Sequence, residues 1–209
     1  MGAVSALSAL DIDWAVATRS RTGETRSGDQ HLVERRGGLV LAAAIDGLGH
    51  GDEAANAAGR AVSVLVDASD WRLQDLFQHC HAALVGTRGV VMSCAVLDLQ
   101  RGSMTWAGIG NVEGVVMGPA TVAKQTLTVR SGVIGYQVPS LGVATVPLAA
   151  GSLLVFTTDG IKAGFELALE FEESPEHNAR RILEKHGSSI DDALALVLQI
   201  QDGRSHAGP

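Results

Sequence analysis

Residues 38–45, GLVLAAAI, make an uninterrupted apolar run that ends on a carboxylate, Asp46, and passes at once into the glycine-rich turn GLGHG. An apolar run of this length between glycines reads as a buried strand. Two more segments carry the same signature. SLLVFTT (152–158) runs into Asp159-Gly160, and LALVLQI (194–200) follows Asp191-Asp192. The fold must therefore bury three strands and hold an acid at one end of each. A carboxylate buried alone is costly, so a triple occurrence needs a reason.

The rest of the chain supplies the layers around these strands. DWAVAT (13–18) alternates as a first strand, and a polar turn, RSRTGETRSGDQ, separates it from a second at HLVE (31–34). Two helices follow Asp46. Ala54, Ala57, Ala58, Ala61, Val62 and Leu65 recur at helical spacing in the first, as do Leu73, Leu76, Phe77, Cys80 and Leu84 in the second. The period then changes to two, and VVMSCAVLDL (90–99), SMTWAGIG (103–110) and VEGVVMG (112–118) read as an antiparallel meander. SGVIGYQVPSLG (131–142) predicts an irregular loop or flap. Ser174 as N-cap, Pro175 at the first helical position and Gly187 as the stop bracket a third helix. This order predicts an α+β layered fold in one domain over 1–209, with a core of about 13–200 and a polar tail from Asp202.

Charge and composition narrow the function. The net charge is −7, and only three of the sixteen basic residues are lysines, with no basic run, which disfavours nucleic acid and anionic membranes as partners. No stretch reaches the ~18 apolar residues of a membrane span, and MGAVSALSAL lacks the cationic start of a signal peptide, so a cytoplasmic location is expected. Two cysteines, Cys80 and Cys94, are too few for a disulfide framework and read as buried thiols. Trp14, Trp71 and Trp106 read as packing anchors, and Asp11 and Asp13 as a solvated strand face.

Strand ends are rigid, so carboxylates placed there can be held at fixed separations and neutralised together by a hard divalent cation. Oxygen donors without His or Cys suit Mg²⁺ or Mn²⁺ better than zinc. Asp46, Asp159 and Asp191 or Asp192 are the candidates, with Asp29 of SGDQ added from the neighbouring turn and Gly47 offering a carbonyl. Two ions about 3.5–4 Å apart would activate a water against a phosphoester. An Asp-Gly after a strand, taken singly, is most often just a turn. DGLGHG lacks both the GK[ST] ending of a P-loop and the spacing of a dinucleotide fold.

The segments SGDQHLV, AIDGLGHGDEAANAA, RGVVMSCAVLDL, GIGNVEG, FTTDGI and DDALALV, in this order, resemble the PPM-type metal-dependent serine/threonine protein phosphatases, in particular the small bacterial SpoIIE/RsbX-like subgroup. The likeness spans about residues 26–198. It implies a central antiparallel β-sandwich with helices on both outer faces and a two-metal centre at one end. It implies that Asp46 bridges both ions, that Gly47 contributes its carbonyl, and that Asp159 and Asp191 complete one metal site, with Asp29 as the acid of the first-strand motif and Asp192 in support. The implied activity is removal of phosphate from serine or threonine of stressosome scaffold and antagonist proteins. The alternative is a pseudophosphatase of the same fold that acts by binding a partner.

Three departures accompany the resemblance. Larger relatives carry a histidine directly after the first Asp-Gly; here Leu48 stands there, and either His50 or a metal-held water is left as proton donor. The arginine that grips phosphate in many members is replaced by Glu24, leaving Arg21 or Arg26 as substitutes. The loop GTRGVV lacks an acid for a third ion, so two are expected.

Overall fold

The computed structural model describes residues 10–118 and 124–203; the readings of the N-terminal ten residues and of the tail bear mainly on 1–9 and 204–209, outside the described residues. Ten strands form two five-stranded antiparallel sheets. One has the order β1 (Leu10–Arg19), β10 (Ala193–Asp202), β9 (Leu153–Thr157), β6 (Glu113–Met117), β7 (Gln125–Thr126). The other runs β2 (Asp29–Arg36), β3 (Leu39–Gly47), β4 (Val90–Asp98), β5 (Ser103–Ile109), β8 (Ala144–Pro147). Helices α1 (Gly51–Asp67) and α2 (Leu73–Leu84) cover the second sheet, and α3 (Pro175–His186) covers the first.

Side-chain alternation explains why the central strands are apolar throughout. In β3, Val40, Ala42 and Ala44 point into the space between the sheets, while Leu41, Ala43 and Ile45 meet α1 and α2. In β10, Leu194, Leu196 and Leu198 face the other sheet, and Ala193, Ala195 and Val197 face α3. Both faces of each strand are buried, so a polar residue has no place until the strand ends. The alanines of α1 (Ala57, Ala58, Ala61) bring that helix close to β3. The expected four-layer α-β-β-α arrangement is thus observed.

Several details depart from the sequence reading. β1 spans ten residues rather than six, and β10 continues to Asp202, each the longest partner of the other over Leu10↔Asp202 to Arg19↔Ala193. The short edge strands β7 and β8 carry no periodic signal of their own. Trp71 and Trp106 are buried, but Trp14 is 40% exposed and tilts against His31 with ring centroids 5.7 Å apart, closing the side between β1 and β2 rather than anchoring the core. Asp13 is exposed as expected, whereas Asp11 is half-buried and paired with Arg35. Cys80 and Cys94 are buried free thiols, and burial pushes the Cys80 thiol up to about 12. No described helix is long and apolar enough to cross a membrane.

Candidate metal centre

The two sheets end together at one edge of the sandwich. Asp29 opens β2 and Asp46 closes β3, and the antiparallel register sets them directly opposite each other. From the other sheet, β9 leads through Thr158 to Asp159, and Asp191-Asp192 leads into β10. Thr158 joins the sheets: its hydroxyl donates to Asp29 Oδ2 at 2.6 Å, and its oxygen accepts the Leu194 N–H at 2.9 Å. Four chain segments distant in sequence therefore deliver their acids to one place.

Asp46, Asp159 and Asp191 line a cavity of about 520 Å³ together with Arg21, His50, Asn111 and the apolar Leu48, Val91 and Val133. Asp29 is only 4% exposed and stands behind Asp46, off the cavity wall. Burial, and then repulsion from Asp29, Asp159, Asp191 and Asp192, pushes the Asp46 carboxyl up to about 8. Burial likewise lifts Asp29 to about 7, against the Thr158 hydrogen bond and with repulsion from Asp192, Asp159 and Asp191. Asp159 is raised by burial and by Asp191, and Asn111 Nδ2 opposes this by donating to its Oδ2 at 2.8 Å. Among the described residues no cationic side chain is bonded to this concentrated negative charge, a charge that a hard divalent cation relieves, and the donor set is all oxygen, so the residues fit such an ion. Among the described residues no three of these acids close into a ligand cage; they line one wall of the cavity.

The neighbouring acids of the Asp191-Asp192 pair divide their work. Asp192 is buried, and its two oxygens accept the backbone N–H groups of Arg21 (2.8 Å) and Gly28 (2.7 Å), fastening both ends of the 21–28 loop. That loop carries Glu24, which stands where many relatives have the phosphate-gripping arginine, and both candidate substitutes, Arg21 and Arg26. Arg21 reaches the cavity, and among the described residues nothing engages its guanidinium; Arg26 is held outside by Asp52 and Asn56. Glu24 meets His50, with Oε1 2.6 Å from Nδ1. Leu48 packs against the inter-sheet core.

The glycines of the two Asp-Gly pairs serve packing more than turning. A Cβ on Gly47 would stand 2.2 Å from the Ala54 carbonyl oxygen, and one on Gly160 would stand 1.8 Å from that of Asp192. Each lets a backbone cross directly behind the acid that precedes it. Gly47 is buried and does not line the cavity. Sequence reasoning missed Thr158 and Asn111, and it missed the pairing of Glu24 with His50. Thr158 had a signal in its place before Asp159, whereas Asn111 sits in the short link that carries the chain from β5 in one sheet to β6 in the other, which no local pattern announces.

The model of the SpoIIE family (Stage II sporulation protein E) matches residues 36–206. A solved structure described under "The bacterial stressosome: a modular system that has been adapted to control secondary messenger signaling" is 33% identical, with a TM-score of 0.84, covering 90% of this chain and 100% of that one. RsbX in complex with magnesium superposes with a TM-score of 0.83 at 19% identity, covering 91% and 96% of the two chains. The Mycobacterium tuberculosis serine/threonine phosphatase PstP/Ppp gives 0.75 at 13% identity over 91% and 99%. No curated protein sequence matches the chain significantly. A family model that runs from the end of β2 to past β10, on a sandwich shared with these structures, places the chain in the SpoIIE family of PP2C-type (PPM-type) phosphatase domains.

Proposed function

We propose that this chain is a metal-dependent phosphoserine/phosphothreonine protein phosphatase working as a single domain. The observation that carries the reading is the convergence of Asp46, Asp159 and Asp191, from both sheets, on one cavity that also holds an unengaged arginine. Asp46, Asp159, Asp191 and the Gly47 carbonyl would hold two Mn²⁺ or Mg²⁺ ions, with Asp29 behind Asp46. The chemistry such ions supply when bound is acidification of a water and neutralisation of phosphoryl charge.

The chain's own residues do the rest. Arg21 grips the phosphate with a planar fork that matches two of its oxygens. Leu48, Val91 and Val133 thin the water around the reacting centre, and Asn111 fixes the Asp159 carboxylate. His50, at the cavity mouth, hands a proton to the departing serine or threonine oxygen. Phosphorylated stressosome-type signalling proteins are the substrates, a reading supported by the 33% identical relative.

With Mn²⁺, the purified protein is expected to hydrolyse p-nitrophenyl phosphate and a phosphoserine peptide, to stop in EDTA, and to be silenced by Asp46→Ala or Asp159→Ala. Full turnover by Asp159→Ala would sink the reading. Manganese uptake by calorimetry with no turnover of any phosphoprotein would instead establish a binding module.

A further inference from the structure

Around the cavity mouth the loop from Asp46 to α1 turns on two glycines with left-handed backbones, Gly49 (φ +91°) and Gly51 (φ +72°), with His50 between them. Each glycine leaves room for a neighbouring charge. A Cβ on Gly49 would stand 2.4 Å from Arg88 Nη1, and one on Gly51 would stand 3.1 Å from Glu24 Oε2. Arg88 is bonded to Glu53 through Nε, so that acid is already engaged. Among the described residues Glu24 alone reaches His50, through Nδ1 at 2.6 Å. Among the described residues no group engages Nε2. Glu24 in turn rides on the loop whose two ends Asp192 fastens.

A carboxylate on Nδ1 does two things to an imidazole. It fixes the ring's orientation, and it selects Nδ1–H, leaving Nε2 as the nitrogen that exchanges protons. His50 borders the cavity that also holds Asp46, Asp159 and Arg21. We propose that Glu24 is a positioning residue that holds His50 as the proton donor to the leaving oxygen, so that the two act as one unit. The inference rests on the phosphatase reading above and adds to it a residue that touches neither substrate nor metal.

The step balances without a redox partner. The bond between phosphorus and the serine or threonine oxygen breaks, and its electron pair stays on that oxygen, which takes the proton from His50 Nε2. A water oxygen bonds to phosphorus and its proton passes to solvent, from which His50 is reprotonated. The sum is phosphomonoester plus water giving alcohol plus phosphate.

Leaving-group dependence tests the unit, because p-nitrophenolate departs readily without a proton whereas an alkoxide does not. With Mn²⁺, Glu24→Gln is expected to lower kcat on a phosphoserine peptide about 10-fold and to fall distinctly less on p-nitrophenyl phosphate. His50→Asn is expected to lose about 100-fold on the peptide, and the double variant to lose no more than His50→Asn alone. Histidine nitrogen NMR of the protein, read without turnover, should show His50 protonated on Nδ1 and the Nδ1 resonance displaced in Glu24→Gln. Equal losses on both substrates, additive losses, or an unchanged Nδ1 resonance would overturn the pairing while leaving the phosphatase reading intact. Wild-type protein inert on both substrates overturns the phosphatase reading itself, and the pairing with it.

Discussion

Thr158 carries more of this site than its size suggests. Its hydroxyl donates to the buried Asp29 carboxyl and at the same time its oxygen accepts the N–H of Leu194 near the start of β10. Thr158→Val keeps the shape and removes both interactions. It leaves a buried carboxyl without its donor, which costs about 1–3 kcal/mol. Urea unfolding of the metal-free protein would measure that loss, and a variant within error of wild type would show the bridge to be idle. The acids themselves work against the fold. Asp46 and Asp29 are raised to about 8 and about 7, so the folded protein holds protons that the unfolded chain has released above about pH 4. Stability from these groups is fully present below about pH 4 and is lost progressively as pH rises to the folded values of about 7 and about 8. His31, whose burial lowers its basicity, acts in the opposite sense around its ordinary range. Asp46→Asn isolates the carboxyl contribution: without metal it is expected to unfold at a higher temperature than wild type at pH 8 and to show a much smaller gain at pH 5, by calorimetry at both values.

At the scale of elements, the strand ends were legible because burial on both faces makes any acid conspicuous. The runs at β3, β9 and β10, and the acids that bound them, could be read directly from the chain, as could the helical spacing of α1 and α2. What could not be read depends on contacts between segments far apart. β7 and β8 are too short to show a period, and Trp14 lies at a seam between sheets that no local pattern marks. The glycine of each Asp-Gly pair looked like a turn residue, yet its reason is the backbone behind it. Gly47→Ala therefore tests packing rather than conformation, since the added methyl would meet the Ala54 carbonyl at 2.2 Å and push α1 from β3. A loss of about 1–3 kcal/mol is expected from such overpacking, with weaker Mn²⁺ binding by calorimetry as Asp46 shifts. Unaltered stability would mean that α1 moves freely against the sheet.

For the whole molecule, the proposed metal binding would be linked to folding. Ions that bind only the native state stabilise it by about 2.7 kcal/mol at a hundred times their dissociation constant. Ions held at the proposed centre would also have to displace the protons on Asp46 and Asp29, so their binding would release protons and strengthen toward pH 8. The rise in Tm on adding Mn²⁺ is accordingly expected to be larger at pH 8 than at pH 6, and absent in Asp46→Ala at either; a pH-independent rise would place the ion elsewhere.

Adjacent in the chain, Asp191 looks into the cavity while Asp192 clasps the amides of Arg21 and Gly28. One dipeptide thus works as a rocker with a short arm on each side. Any torsion that reseats the first carboxylate tilts the strap bearing Arg21 and Glu24, so on the function proposed above the geometry that would receive a cation and the geometry that would receive a phosphate cannot be tuned apart.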